Sequence, residues 1–217
     1  MGRAKLPRKS TNIDMTAMCD VAFLLLSFFI LTTKFKPAEA IAVVTPKSVA
    51  NKVAPAKDVV EVIMDKDGKV FLTLDDESVK ESIANKLNST QKLGLNVKAF
   101  KQSLFFGAPF SGLNAFLAIP EQDRKGNALP GIPVKDTLNN ELTTWMGLVR
   151  EAYSETNKKP NILLKGDNLT KYPAFKSVIT AFKKNEFFKF QMVTNPEAVP
   201  AGTDLWKQVQ AGGKQED

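Results

Sequence analysis

The sequence predicts an α+β membrane protein, with one N-terminal transmembrane helix and a small outer domain whose mixed β-sheet packs on two or three helices. Two observations support this fold class. Residues 15–33 form one apolar run that would reach roughly 28 Å as a helix, about the thickness of the hydrocarbon core. Residues 58–194 alternate between strand-like and helix-like periods.

The apolar run is predicted to be a retained anchor. Asp14 and Asp20 lie where a signal peptide carries only positive charge, and Lys34 and Lys36 follow the run closely. Positive charge dominates residues 1–14, so the positive-inside rule assigns this tail to the cytoplasm. The rest of the chain would lie in the periplasm, and the protein would be a single-pass protein of a bacterial inner membrane.

Three further parts are predicted after the span. Residues 34–57 contain three prolines and no helical period, which is typical of an extended linker. Residues 58–194 should form one periplasmic domain, interrupted at about 88–135 by a glycine- and proline-rich insertion. Such an insertion is either a packed surface excursion or a partner-binding loop. Residues 195–217 are polar and are predicted to be a flexible tail.

Within the domain, apolar residues alternate on both sides of a turn at 65–68 and predict a β-hairpin. The Asp-x-Asp-Gly turn lacks the spacing and closing glutamate of a calcium-binding EF-hand loop, so a plain turn is favoured. Asp75 can cap a helix whose apolar residues recur every four positions. Later periods predict a short helix within 97–106, a helix over about 140–153, a strand over 161–165, a helix starting near Pro173 and a strand over 188–192.

Composition argues against catalysis and metal binding. The 217 residues include no histidine, so the usual general base and metal ligand are missing, and the single cysteine cannot form an intrachain disulfide. No Gly-x-Ser-x-Gly nucleophile motif occurs. The net charge of +7 is spread without an arginine-rich stripe, which argues against nucleic-acid binding. We expect no enzyme activity, no cofactor and no metal.

Asp20 is the one acidic residue inside the apolar run. A carboxylate at that depth costs roughly 2.5–3.5 kcal/mol and is by default a functional-site hypothesis. A low dielectric favours its protonated form, so it could accept a proton from one side and release it to the other. On a helix, Thr16 and Ser27 share its face and could support this path. The alternative is that both hydroxyls bond backbone carbonyls and Asp20 lies at the wet interface.

One span cannot enclose a proton pathway, so a polytopic membrane partner is also expected. The sequence Asp-Met-Thr-Ala-Met-Cys-Asp-Val at residues 14–21, with the apolar run after it, resembles the membrane signature of the ExbD/TolR biopolymer-transport family. Ala17 stands where that pattern has proline, and Cys19 is also unusual. Residues 60–74 and 162–194 are similar to the strand–helix–strand rhythm of the family's outer domain.

This resemblance implies a subunit of a proton-driven motor, with Asp20 as its proton carrier. A homodimer would place its helices inside a pentamer of an ExbB-like membrane protein. The outer domain would act on a TonB-like periplasm-spanning protein and so energise transport across the outer membrane. A TolR-like envelope-integrity subunit and a non-energised, membrane-anchored binding protein are the alternatives.

The resemblance also assigns a role to the linker. Ile41, Val43 and Thr45 belong to an alternating pattern that resembles the family's post-membrane strand, which can pair in the dimer. We expect this strand to pair reversibly with the outer domain or the dimer mate, the last strand near Met192 being the first candidate.

Overall fold

A computed structural model describes residues 15–32, 41–49, 54–125, 128–134, 140–204 and 206–207. The chain divides into two compact units between residues 39 and 40. The described part of the first unit is one helix, α1 (Met15–Thr32), and the second unit is the outer domain. The predicted cytoplasmic tail, residues 1–14, lies outside the described residues.

The described residues of the domain form two β-sheets. Their strands are β1 (Lys47–Ser48), β2 (Val59–Met64), β3 (Val70–Leu74), β4 (Asn161–Gly166), β5 (Gln191–Met192) and β6 (Asn195–Pro196). The main sheet has the order β3-β2-β4-β5, with β2 antiparallel to β3 and parallel to β4, and β5 parallel to β4. A small separate sheet pairs β1 with β6 in parallel. The main sheet is therefore mixed, and the fold is the predicted α+β.

The predicted hairpin is present, with Val60 opposite Leu74. Its turn is held by Asp65, whose carboxylate accepts the backbone N–H groups of Asp67 and Lys69 at 2.9 and 2.8 Å. Gly68 follows with a φ of 78°, a conformation that favours glycine. The aspartates therefore serve the turn, in agreement with the prediction of a plain hairpin.

Five helices accompany the sheets in the described part of the domain: α2 (Glu77–Thr90), α3 (Val97–Gln102), α4 (Leu113–Ala118), α5 (Glu141–Glu155) and α6 (Tyr172–Lys184). The predicted cap of α2 was placed one residue too early. Asp76, rather than Asp75, accepts the backbone N–H groups of Ser78 and Val79 at 2.8 and 3.3 Å. The apolar faces of α2, α5 and α6 enter one hydrophobic core with the main sheet.

Apolar residues of the predicted insertion, such as Phe106 and Ile132, are buried in that core. Phe106 exchanges two backbone hydrogen bonds with Leu72 in β3, at 2.7 and 2.9 Å, and Ile132 N–H donates to the Val70 carbonyl at 2.7 Å. The Phe106 ring stacks against the buried Trp145 of α5. These residues of the insertion therefore cover the outer edge of β3 as a packed excursion would, and a partner-binding role of the insertion stays a prediction.

Two buried cations secure this excursion. The Lys80 ammonium donates to the carbonyls of Lys101 and Ser103 at 3.3 and 2.9 Å. The Arg124 guanidinium donates to the Ser103 hydroxyl at 2.9 Å and to carbonyls at the end of α4. Burial lowers the pKa of both side chains. Both are held by hydrogen bonds to oxygen, as a buried cation requires.

Candidate functional site

Helix α1 has the length and composition of a membrane span. Its 18 residues include no glycine or proline and reach roughly 27 Å. Among the described helices it is the one that is long and apolar enough to cross a bilayer. Its large apolar side chains are exposed all around the helix, from Met15 to Leu31. A helix that is apolar on every side is stable only in an apolar surrounding, such as lipid or other apolar helices.

Asp20 is the one Asp, Glu, Lys or Arg side chain in α1, and it lies about 8 Å along the axis from Met15. Thr16 lies one turn before it and Ser27 two turns after it, on the same face. No hydrogen bond or ion pair joins the Asp20 carboxylate to another residue in the described part of the chain. The carboxylate is therefore available to a partner or a proton from outside the helix.

The hydroxyl groups of α1 bond within the helix where their contacts are defined. Ser27 Oγ donates to the Leu24 carbonyl at 2.9 Å, and Thr32 Oγ1 donates to the Phe28 carbonyl at 2.7 Å. The Ser27 donor is thus occupied, and only its lone pairs are left to accept from another group. This geometry fits the alternative that the Ser27 hydroxyl only bonds a backbone carbonyl. A role of Thr16 or Ser27 in proton transfer stays a prediction.

The segment after the span is docked on the outer domain. Ile41, only 5% exposed, joins the core; Thr45 is buried and Val43 is partly buried, whereas Ala42 and Val44 face solvent. The predicted alternation of faces is therefore present. The predicted strand at Ile41, Val43 and Thr45 is displaced, because the ladder forms at Lys47–Ser48 instead.

The partner of this strand also differs from the predicted one. Met192 pairs with Leu164 inside the main sheet, so it is already engaged. The strand β1 pairs with β6, where Asn195 N–H donates to the Pro46 carbonyl and Glu197 N–H to the Ser48 carbonyl, each at 2.9 Å. The Lys47 ammonium lies 3.4 Å from the Glu197 carboxylate.

A second set of bonds holds the segment just before β1. Val44 N–H donates to the Asp167 carboxylate at 3.0 Å, and Asn168 N–H donates to the Val44 carbonyl at 2.8 Å. We call these contacts together the linker clasp: residues 44–48 bonded to 167–168 and to 195–197. The linker clasp bonds the segment after the span to the end of the main sheet, because Asp167 immediately follows β4.

Residues 7–103 match the family model described as biopolymer transport protein ExbD/TolR. This region of the chain is therefore similar to ExbD/TolR proteins. The matched residues include α1 with Asp20, the β1 segment, the hairpin, α2 and α3, and they make up less than half of the chain. Searches of the curated proteins and of solved structures gave no match.

ExbD/TolR proteins are membrane-anchored biopolymer transport subunits that generally work with ExbB-like and TonB-like proteins. The matched region includes α1, which has the length and composition that such an anchor needs. The match ends at Ser103, so β4, α6 and β5 lie outside it. The similarity predicted for residues 162–194 is not part of the matched region.

The sequence-based predictions missed the residues that hold the linker. Asn195, Pro196 and Glu197 were assigned to a flexible tail, and Asp167 was given no role, yet all of these bond or pair with the segment after the span. A two-residue parallel ladder has no periodicity that a sequence could display. The one available signal was the Gly-Asp-Asn turn after β4, because aspartate in a turn commonly accepts backbone N–H groups.

Proposed function

We propose that this chain, whose residues 7–103 match the ExbD/TolR model, is the inner-membrane subunit of a motor driven by the proton-motive force, which energises TonB-dependent transport across the outer membrane. Asp20 is the proton carrier in this proposal. The observation that carries it is a lone carboxylate on an entirely apolar helix, in the region that matches the ExbD/TolR model. An ionisable group that is expensive to insert and has no structural partner in the described chain is best explained by function.

The proposed assembly follows from the surface of α1. The apolar side chains around the helix need apolar neighbours, whereas Asp20 needs a polar path that one helix cannot enclose. Two copies of α1 inside a pentamer of an ExbB-like protein would meet both needs. The N-terminus would then be cytoplasmic and the outer domain periplasmic, where it could contact a TonB-like protein.

The linker clasp gives this motor a reversible coupling between membrane and domain. It consists of a few backbone–backbone hydrogen bonds, each worth about 1 kcal/mol net, one bond from Val44 N–H to the Asp167 carboxylate, worth roughly 1.5–3 kcal/mol, and one exposed ion pair that adds little. A proton that crosses 100 mV releases about 2.3 kcal/mol. The free energy released by one or two protons is therefore similar to the free energy needed to open the clasp. We propose that the clasp opens during the working cycle.

The direct test replaces Asp20 by asparagine, which keeps the size of the side chain and removes its titration. In cells that depend on this chain, uptake of a labelled iron–siderophore complex should fall to the level seen without the chain, while the protein still inserts and assembles. Cys19→Ala is the matched control, since it changes the adjacent residue without altering charge, and it should support normal uptake. Normal uptake by Asp20→Asn contradicts the proposal.

The same variants separate the TolR-like alternative from the TonB-linked one. If Asp20→Asn leaves iron uptake intact but makes the cells sensitive to detergent, the chain serves envelope integrity. If neither property changes, the chain is a non-energised, membrane-anchored binding protein, and the apolar helix is only its anchor.

A further inference from the structure

Three exposed apolar side chains lie beside the linker clasp. Val44, Leu169 and Tyr172 are 68%, 72% and 71% exposed, although each is large and apolar or aromatic. Hydrogen bonds bring two of them together, because the Asp167 carboxylate accepts both Val44 N–H at 3.0 Å and Leu169 N–H at 2.9 Å. Tyr172 follows as the first residue of α6. Val44 and Leu169 thus bond to one carboxylate, and Tyr172 lies three residues after Leu169; we call these three exposed residues the exit patch.

Exposed lysines flank the exit patch, and the exposed Asp67 lines the same cleft as Lys66 and Lys171. Lys171 precedes Tyr172, and Lys176 lies one helical turn after it on the same face of α6; both are exposed. Lys66, also exposed, lines the same cleft as Lys171. The nearby Asp167 carboxylate is occupied by two backbone N–H groups. A leucine and a tyrosine flanked by lysines have the composition of segments that lie in the headgroup region of a membrane.

The position of the patch in the sequence favours a lipid surface as its occupant. Val44 follows α1 by 12 residues, and the eight residues 33–40 can extend over at most about 30 Å. The covalent connection alone therefore limits the distance between the end of the span and residue 41. Phe188, another exposed apolar residue, lies elsewhere on the domain. It comes just before β5, which runs parallel to β4, whereas Asp167 comes just after β4. Phe188 is therefore at the opposite end of the main sheet from the exit patch.

We propose that the exit patch docks the outer domain onto an anionic phospholipid surface. The apolar side chains enter the headgroup region, and Lys171 and Lys176 contact lipid phosphates. This proposal rests on α1 as a membrane span and is independent of proton transport by Asp20. A ring of partner subunits around the span would separate the domain from lipid, so the docked state is that of the unassembled subunit.

The test uses the full chain, with Cys19 replaced by alanine, in nanodiscs of 30% phosphatidylglycerol and 70% phosphatidylcholine. A nitroxide is attached to a cysteine at Asn168, next to Leu169, or at Lys159, at the opposite end of β4. Collision with oxygen, which concentrates in lipid, and with a water-soluble nickel chelate reports depth. At Asn168 we expect the oxygen-to-nickel collision ratio to be several-fold higher than at Lys159.

Two variants identify the contact. Leu169→Ser with Tyr172→Ser should bring the Asn168 ratio down to the Lys159 value, and Lys171→Glu with Lys176→Glu should do so in the anionic nanodiscs. All four side chains are exposed, so the fold should survive, which circular dichroism checks. Equal ratios at the two positions in the unsubstituted patch overturn the proposal. Protection of Asn168 that occurs only with a co-reconstituted partner protein also overturns it, because the contact is then to protein.

Discussion

At the residue scale, the side chains of Asp20 and Ile41 differ in where they find their partners. Asp20 has no partner in the described chain and has to be satisfied from outside, by a proton or by another subunit. Ile41 is satisfied inside the domain, where its side chain is almost completely removed from water. Burial of an isoleucine side chain contributes about 2 kcal/mol. One buried side chain thus anchors the linker at the point where it reaches the domain.

Ile41→Ala should lower the free energy of unfolding by roughly 2–4 kcal/mol, because it removes buried methylene and methyl groups and leaves a cavity. Val44→Ala is the matched control, since Val44 is exposed, and it should change stability by less than about 0.5 kcal/mol. Urea titration of the full chain in detergent, followed by tryptophan fluorescence, measures both. Equal stability of the two variants would mean that Ile41 is not anchored in the core.

At the element scale, α2 depends on a single charged cap. The Asp76 carboxylate accepts two backbone N–H groups of α2, and the Lys158 ammonium lies 2.7 Å from it. The hydrogen bond from Lys158 lowers the pKa of Asp76, and burial opposes this effect in part. A folded-state pKa below the unfolded value of 3.8 means that the stabilisation is present above pH 4 and is lost as the pH falls further.

Asp76→Ala should destabilise the domain by about 1 kcal/mol at pH 7, the usual cost of a lost N-cap. Asp76→Asn is the informative comparison, because asparagine still caps the helix but does not titrate. Between pH 5 and pH 3, Asp76→Asn should lose less stability than the unsubstituted chain. The measurement is urea unfolding at a series of pH values; identical pH dependence in both chains would show that the Asp76 charge does not contribute.

Elements with many periodic positions were predictable from the sequence. The hairpin and α5 repeat apolar residues at the spacing of their structure, β4 is a short continuous apolar run, and Asp20 stands out in an apolar helix. The sequence did not predict that Phe106 and Ile132 would cover the edge of β3. It also did not predict that Lys47 would pair with Asn195. These contacts join distant residues through backbone groups, which every residue carries, so no side-chain pattern marks them.

At the scale of the whole molecule, one short linker joins the proposed proton site in α1 to the clasp on the outer domain. Cysteines at Lys47 and Asn195 monitor that clasp, because paired residues of neighbouring strands lie about 5 Å apart, within the range of a disulfide. Cys19→Ala removes the native thiol. In energised membranes the clasp should be open for part of the time, and disulfide formation should be slower.

The most direct test is the yield of this disulfide with and without a proton-motive force, both in the chain that retains Asp20 and in its Asp20→Asn variant. We predict that energisation lowers the yield when Asp20 is present, that a protonophore restores it, and that Asp20→Asn gives the same high yield in both conditions. A yield that is independent of energisation in the chain with Asp20, or that responds equally after Asp20→Asn, would contradict the proposal that proton passage at Asp20 acts on the outer domain through the linker clasp.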